Sequence, residues 1–263
     1  MSCYAYKDEY VKEYFEKHSI EVMKCILDKW ESMALVRKIS MLLSIEEDLV
    51  RDMLVIMSGF HDIGKTFKYY QMRCIEDKCI SFPKHYIVSA QFMTFLFNRA
   101  FGKLSDNYIN DEYVIEVLNG KIHDGDKTRY LYTLTCVLPI LLHHYAQVSS
   151  PTSFSDTIKY VKHGIYPGCY NAIDTLIQSM QRIVKTNFAQ ELLEEVKQVI
   201  RDNETLGIYL STMLDPGTII KKSSSYILVF ERLLVEAITG VLNMCDGKVA
   251  LKNRVCEKKN KEY

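Results

Sequence analysis

The sequence predicts an all-α, single-domain protein built as a helical bundle. Three observations carry that reading. Apolar residues recur at spacings of three and four through most of the chain, the period of a helix with one buried face. Only five prolines and eleven glycines occur in 263 residues, too few for the turn-rich chemistry of a β-sandwich or barrel. One stretch, Tyr86 to Phe97, is apolar almost all round, as a helix at the centre of a bundle is. A chain of this length has room for one sizeable core, expected over residues 1–250, with 251–263 as a polar C-terminal tail that frays.

Taken in order, residues 8–31 read as one helix, with Val11, Tyr14, Phe15, His18, Val22 and Ile26 on a single face. A second helix is expected from about Ile45 to Phe60. Ser44 and Glu47 form a capping box at its start, and Gly64 sits where a left-handed cap would end it. A loop over Cys74–Phe82 leads to Pro83, which suits the first turn of the central helix running to Phe101. Residues 110–119 form a short helix closed by Gly120, and 120–127 form a polar turn with His123 exposed. A further apolar helix over Tyr130–Tyr145 is expected to break or kink at Pro139.

Ser149 to Asp156 reads as the best boundary between sub-structures. Residues 157–170 look irregular, with His163 exposed. Asn171–Val184 and Phe188–Arg201 are amphipathic helices, and Leu214-Asp215-Pro216-Gly217 is a turn. Ser223-Ser224-Ser225 caps a long last helix whose stripe is Glu231, Val235, Ile238, Leu242 and Asp246.

The stretch Gly59-Phe60-His61-Asp62-Ile63-Gly64-Lys65-Thr66 supports two incompatible readings. As letters it satisfies G-x-x-x-x-G-K-[ST], a phosphate-cradling loop that needs a strand before it, for which Met53–Met57 is the only candidate. As chemistry it carries an adjacent imidazole and carboxylate, a pair suited to transition metals and hard divalent ions. Bulky residues between the glycines and helical spacing upstream favour the second reading.

Other side chains gather weight behind it. His18 lies on the apolar face of the first helix, where the ordinary alternative is a core histidine bonded to a carbonyl. His85 falls in the first turn of the central helix, with Ser89 one turn on. His143 and His144 close an apolar run. Asp246 sits on a largely apolar face, where an unpaired carboxylate would cost several kcal/mol. Asp124-Gly125-Asp126 lacks the remaining spacing of an EF-hand.

The ordered set His18, His61-Asp62, His85, His143-His144 and Asp246 resembles the HD superfamily of metal-dependent phosphohydrolases. With Lys65 after the HD pair and Ser89-Ala90 after the third histidine, it most resembles the HD nuclease of type I CRISPR interference. That resemblance implies an HD-type bundle with a central dinuclear site. One ion would be held by His18, His61, Asp62 and Asp246. The other would be held by Asp62, His85, His143 and His144, with Asp62 bridging. Lys65 would steady the phosphate, and Ser89 would orient a ligand or the substrate. The ions would be Mg or Mn, with Fe, Co and Ni also suited to the His-rich shell.

The resemblance further implies a hydrolase of phosphodiester bonds in nucleic acid. Its main substrate would be single-stranded DNA, with RNA as a further candidate, delivered by a separate CRISPR-associated helicase and effector complex. The chain has no room for a helicase of its own. Tyr145-Ala146 replaces the glycine that many members carry after the double histidine. The D-G-x-G-Y-P signature of the cyclic-dinucleotide branch is missing there too. The alternatives are an HD phosphodiesterase of small or cyclic nucleotides, a P-loop-like nucleotide-binding protein at Gly59–Thr66, and a non-catalytic helical subunit.

Composition narrows little further. Hydrophobic residues are 48% and charged residues 25%, ordinary for a globular protein. The formal net charge is zero, so the bulk basic signal of many nucleic-acid binders is missing. The N-terminus lacks a basic start followed by an apolar run, so no secretory signal is expected. No segment reaches a membrane-spanning length. The eight cysteines form no C-x-x-C pair; several sit at apolar helical positions and are expected as reduced, buried small hydrophobes, so a cytoplasmic protein is expected by default.

Overall fold

The structure, a computed structural model, describes residues 2–76, 79–102, 108–121, 127–144, 157–202, 206–207, 209–210, 212–222 and 230–259. Its elements in chain order begin with a short antiparallel hairpin, β1 (Tyr4–Lys7) and β2 (Lys12–Tyr14). Helices follow: α1 (Phe15–Leu27), α2 (Trp30–Leu43), α3 (Glu47–Phe60), α4 (Lys68–Glu76), α5 (His85–Phe101), α6 (Asp111–Leu118) and α7 (Lys127–Tyr132). Then come α8 (Leu138–Leu142), α9 (Ile158–Val161), α10 (Tyr170–Gln181), α11 (Asn187–Arg201), α12 (Pro216–Lys222) and α13 (Phe230–Lys259). The all-α class is what the periodicity predicted.

The hairpin corrects the single helix expected over residues 8–31. Asp8 prevents it: its carboxylate accepts the amides of Tyr10 (2.8 Å) and Val11 (2.6 Å), a local competitor to helical hydrogen bonding. Gln71 then pins the strand, accepting Tyr4 N–H and donating to Tyr4 C=O. The helix therefore starts at Phe15, whose amide bonds the Cys3 carbonyl. Val11 and Phe15 are both fully buried, so the apolar spacing was real but belonged to two elements.

Ser44 caps no helix start. It is the left-handed end of α2, with φ 51°, and α3 begins after Glu46 without a side-chain cap. Asn110 and Gly120 bracket α6 as expected; Asn110 accepts the Tyr113 amide, and Gly120 takes φ 69°. The apolar run after Tyr130 breaks one turn earlier than its proline: Thr133–Val137 is a π segment, and Pro139 lies in the first turn of α8. Proline lacks the amide that would close the α-helical bond to Thr135. Asp215 and Pro216 open α12 and make no simple turn; Asp215 accepts from Gly217 N and Thr218 Oγ1. The last helix does not end at residue 250 but runs on to Lys259. His163 is exposed, as expected. His123 and its polar turn, Tyr145–Val148, the boundary at 149–156 and the Ser223–Ser225 cap lie outside the described residues.

The core is a layered set of helices around α3 and α5. α1 packs on α3, α10 and α13, and α5 packs on α8 and α11. Asp52, fully buried on α3, holds the α10–α11 corner: it accepts Lys185 N (2.8 Å), Thr186 N (2.7 Å) and Thr186 Oγ1 (2.8 Å). No helix of the described residues is long and apolar enough to cross a membrane.

Six of the cysteines are not reduced hydrophobes. Cys3 pairs with Cys169, Cys25 with Cys245, and Cys74 with Cys79. Two of these bonds join residues 166 and 220 positions apart, so no local spacing could announce them. Persistent disulfides are rare in most cytosolic proteins, which removes the ground on which reduced cysteines suggested a cytoplasmic one. Cys136 keeps a buried free thiol, pushed up to about 12 by its burial.

Candidate metal centre

The octapeptide at 59–66 is not a phosphate loop. It follows a helix, not a strand: Gly59 and Phe60 finish α3, and Ile63–Thr66 form a 3-10 turn. Its amides are already used. Gly64 N–H donates to Ser89 Oγ (2.9 Å) and Lys65 N–H to the Asp62 carbonyl (2.9 Å). A side chain at Gly64 would collide with the His85 carbonyl oxygen, so glycine there serves the close approach of α5 and not a ligand. Its φ is not positive, so it is no left-handed cap.

What the turn does is aim His61 and Asp62 inward. Ser58 folds its hydroxyl back to Leu54 C=O, and its own carbonyl accepts His61 Nδ1–H at 2.8 Å. The same device recurs three residues before two other histidines: Phe82 C=O accepts His85 Nδ1–H (2.5 Å), and Ile140 C=O accepts His143 Nδ1–H (2.6 Å). A carbonyl only accepts, so Nδ1 carries the hydrogen and the neutral ring presents a bare Nε2. His18 is held differently, by Glu13 Oε1 at 2.8 Å from its Nδ1. The Nε2 atoms of His18, His61, His85 and His143 are all buried and have no hydrogen-bond donor or acceptor assigned to them.

These atoms converge. Ligand atoms of His18, His61, Asp62 and Asp246 lie within 4.8 Å of one another, and so do those of His85, His143 and His144. Asp62 stands between the groups: its Oδ2 is 3.5 Å from both His18 Nε2 and His61 Nε2, and its Oδ1 is 3.0 Å from His85 Nε2. Asp246 reaches in from α13, 3.0 Å from His18 Nε2 and 3.8 Å from His61 Nε2. The two adjacent histidines both arrive because α8 ends at the site, their rings 4.2 Å apart and His144 4.9 Å from His85.

Residues 17–113 match the family of the Cas3 HD domain. Over that stretch the chain is similar to the HD domain of Cas3. A domain of this kind is a metal-dependent nuclease, and the buried His/Asp clusters are consistent with an HD metal site. None of the curated proteins matches the chain. The matched stretch of the HD domain holds His18, His61, Asp62, Lys65, His85 and Ser89. His143, His144 and Asp246 lie beyond it, and the fold brings them to the same centre.

The electrostatics of the HD centre suit cations. Burial alone would neutralise Asp62, but Lys65, His61 and His85 hold its carboxyl well below the usual range. Burial likewise opposes ionisation of Asp246, and His18 and His61 outweigh it. Burial and the neighbouring rings of His144 and His85 push His143 well down; burial and His85 lower His144 to about 4. Both therefore stand neutral and ready to donate a lone pair near pH 7. Orphaned imidazole nitrogens facing ionised carboxylates fit divalent metal ions.

Lys65 Nζ lies 2.6 Å from Asp62 Oδ2 and over the Phe82 ring. Ser89 is fully buried, and its oxygen accepts the Gly64 amide, so it supports the HD turn. Glu13 escaped the sequence reading because residues 8–31 read as one helix, which left it off the apolar face. Asp8 as a turn former was the available signal.

Proposed function

We propose that this HD domain hydrolyses phosphodiester bonds of nucleic acid, mainly single-stranded DNA, in CRISPR antiviral interference, with a separate helicase supplying the strand. The observation that carries the reading is the convergence of the Nε2 atoms of His18, His61 and His85 on Asp62, whose two oxygens face separate clusters. One divalent cation is assigned to His18, His61, Asp62 and Asp246, and a second to Asp62, His85, His143 and His144. When bound, such a pair supplies a nucleophile at neutral pH and charge stabilisation at the phosphate.

The protein's own groups do the rest. Asp62 links the two subsites. The carbonyls of Ser58, Phe82 and Ile140 set the ring orientations, so little rearrangement is needed when ligands bind. Lys65 supplies a positive charge that can pass from Asp62 to a scissile phosphate once cations neutralise that carboxylate. Ser89 positions the turn.

Purified protein incubated with manganese and single-stranded DNA should cleave it, and Asp62→Ala should lower the rate by at least about 10³-fold, on the scale of removing an essential group, without loss of the folded far-UV spectrum. Cyclic dinucleotides assayed alongside separate the nuclease from a small-nucleotide phosphodiesterase. Metal-dependent cleavage retained in Asp62→Ala would sink the proposal.

A further inference from the structure

Three of the site histidines lean on backbone carbonyls; His18 alone leans on a carboxylate. Glu13 belongs to β2, is 2% exposed, and places Oε1 2.8 Å from His18 Nδ1. It does not stand free. Asn253 donates to Glu13 Oε1 (3.1 Å), and Arg254 donates from both Nε and Nη2 to Oε2 (3.2 Å each). Both residues come from the far end of α13, past Asp246. The Arg254 guanidinium in turn lies 4.2 Å from the Tyr6 ring of β1, which orients its plane. The hairpin and the last turns of α13 thus close on one carboxylate.

A carboxylate behind a ligating histidine fixes the ring and makes its other nitrogen a stronger donor than a carbonyl does, and removing such a partner typically weakens metal binding about 10- to 100-fold. A buried carboxylate also needs cationic and hydrogen-bonding partners to stay in place. Arg254 and Asn253 supply them.

Resting on the metal-centre reading above, we infer that Glu13, clamped by Asn253 and Arg254, is a positioning residue that selectively strengthens the cation subsite of His18, His61, Asp62 and Asp246. The C-terminal turns beyond residue 250 then belong to the metal centre. Among the described residues, His85 and His143 of the other subsite are backed by carbonyls and not by a carboxylate.

The test is titration of the full chain with manganese, followed by calorimetry and by electron paramagnetic resonance, which separates a spin-coupled pair from a single ion. Glu13→Ala should weaken one of the two binding events about 10- to 100-fold, leave the other at its wild-type affinity, and replace the coupled signal with that of a single ion at stoichiometric metal. Glu13→Gln keeps an acceptor oxygen at Nδ1 and should recover most of the lost affinity. Arg254→Ala should shift the same event by a smaller factor.

Unchanged binding in both Glu13→Ala and Arg254→Ala, beside a wild type that takes two ions, would overturn this inference alone. So would equal weakening of both events in step with a lower melting temperature. If Glu13→Ala fails to fold, Arg254→Ala decides by the same criteria, since its side chain is 36% exposed. A wild type that takes up no manganese would overturn the metal-centre reading and this inference with it.

Discussion

Four imidazoles in this protein are each held at Nδ1, with Nε2 buried at the HD centre. His18 shows what that costs without a cation. Burial pulls its pKa down, but Asp246 and Glu13 outweigh burial and raise it from 6.5 to about 9. A folded-state pKa above the unfolded one means that protonation stabilises the fold. The contribution is complete below about pH 6.5 and is lost as pH rises through about 9. Metal-free protein should therefore lose thermal stability from this group across that window. His18→Asn should flatten the slope in a series of melting curves. Binding of a cation at His18 below pH 9 should release a proton, measurable as buffer-dependent heat. His61-Asp62 and His143-His144 were legible as residues because their types and order are unusual. Glu13 was not, because its role depends on a turn set by Asp8 and on partners 240 residues away.

At the scale of elements, the contact of α5 with the 3-10 turn after α3 decides whether the two clusters face each other. It is made by backbone: Gly64 touches the His85 carbonyl and donates its N–H to Ser89. Gly64→Ala should cost about 1–3 kcal/mol by overpacking and should displace His85, seen as lower stability together with weaker metal uptake. Ser89→Ala would leave the Gly64 amide buried without an acceptor, a cost of about 1–3 kcal/mol in denaturant unfolding. The helices themselves were readable from their period. Their ends were less so, because Asp8, Ser44 and Asp215 each bond to backbone in ways that several local structures would accept.

For the whole molecule, two long-range disulfides tie the N-terminal hairpin and α1 to distant helices. Cys25–Cys245 joins the helix of His18 to the helix of Asp246, next to that carboxylate in sequence. Closing loops of this length contributes about 2–5 kcal/mol per bond in small domains. Melting in reductant should fall well below melting without it, and Cys74→Ser, which opens a bond spanning only 5 residues, should matter far less. Equal melting temperatures with and without reductant would show that the two long-range bonds add nothing.

The helical class and the order of imidazoles and carboxylates were determined by the sequence alone. Both are local properties: helical period is written within each segment, and residue type needs no partner to be read. Only the tertiary structure decided that α1, the α3 turn, α5, α8 and α13 meet at Asp62, that Glu13 backs His18, and that cysteines pair across the chain. Those contacts include Glu13 with His18, 5 positions apart, and Cys25 with Cys245, 220 apart. Which of them form depends on how every buried face packs at once, and no single stretch of sequence records that.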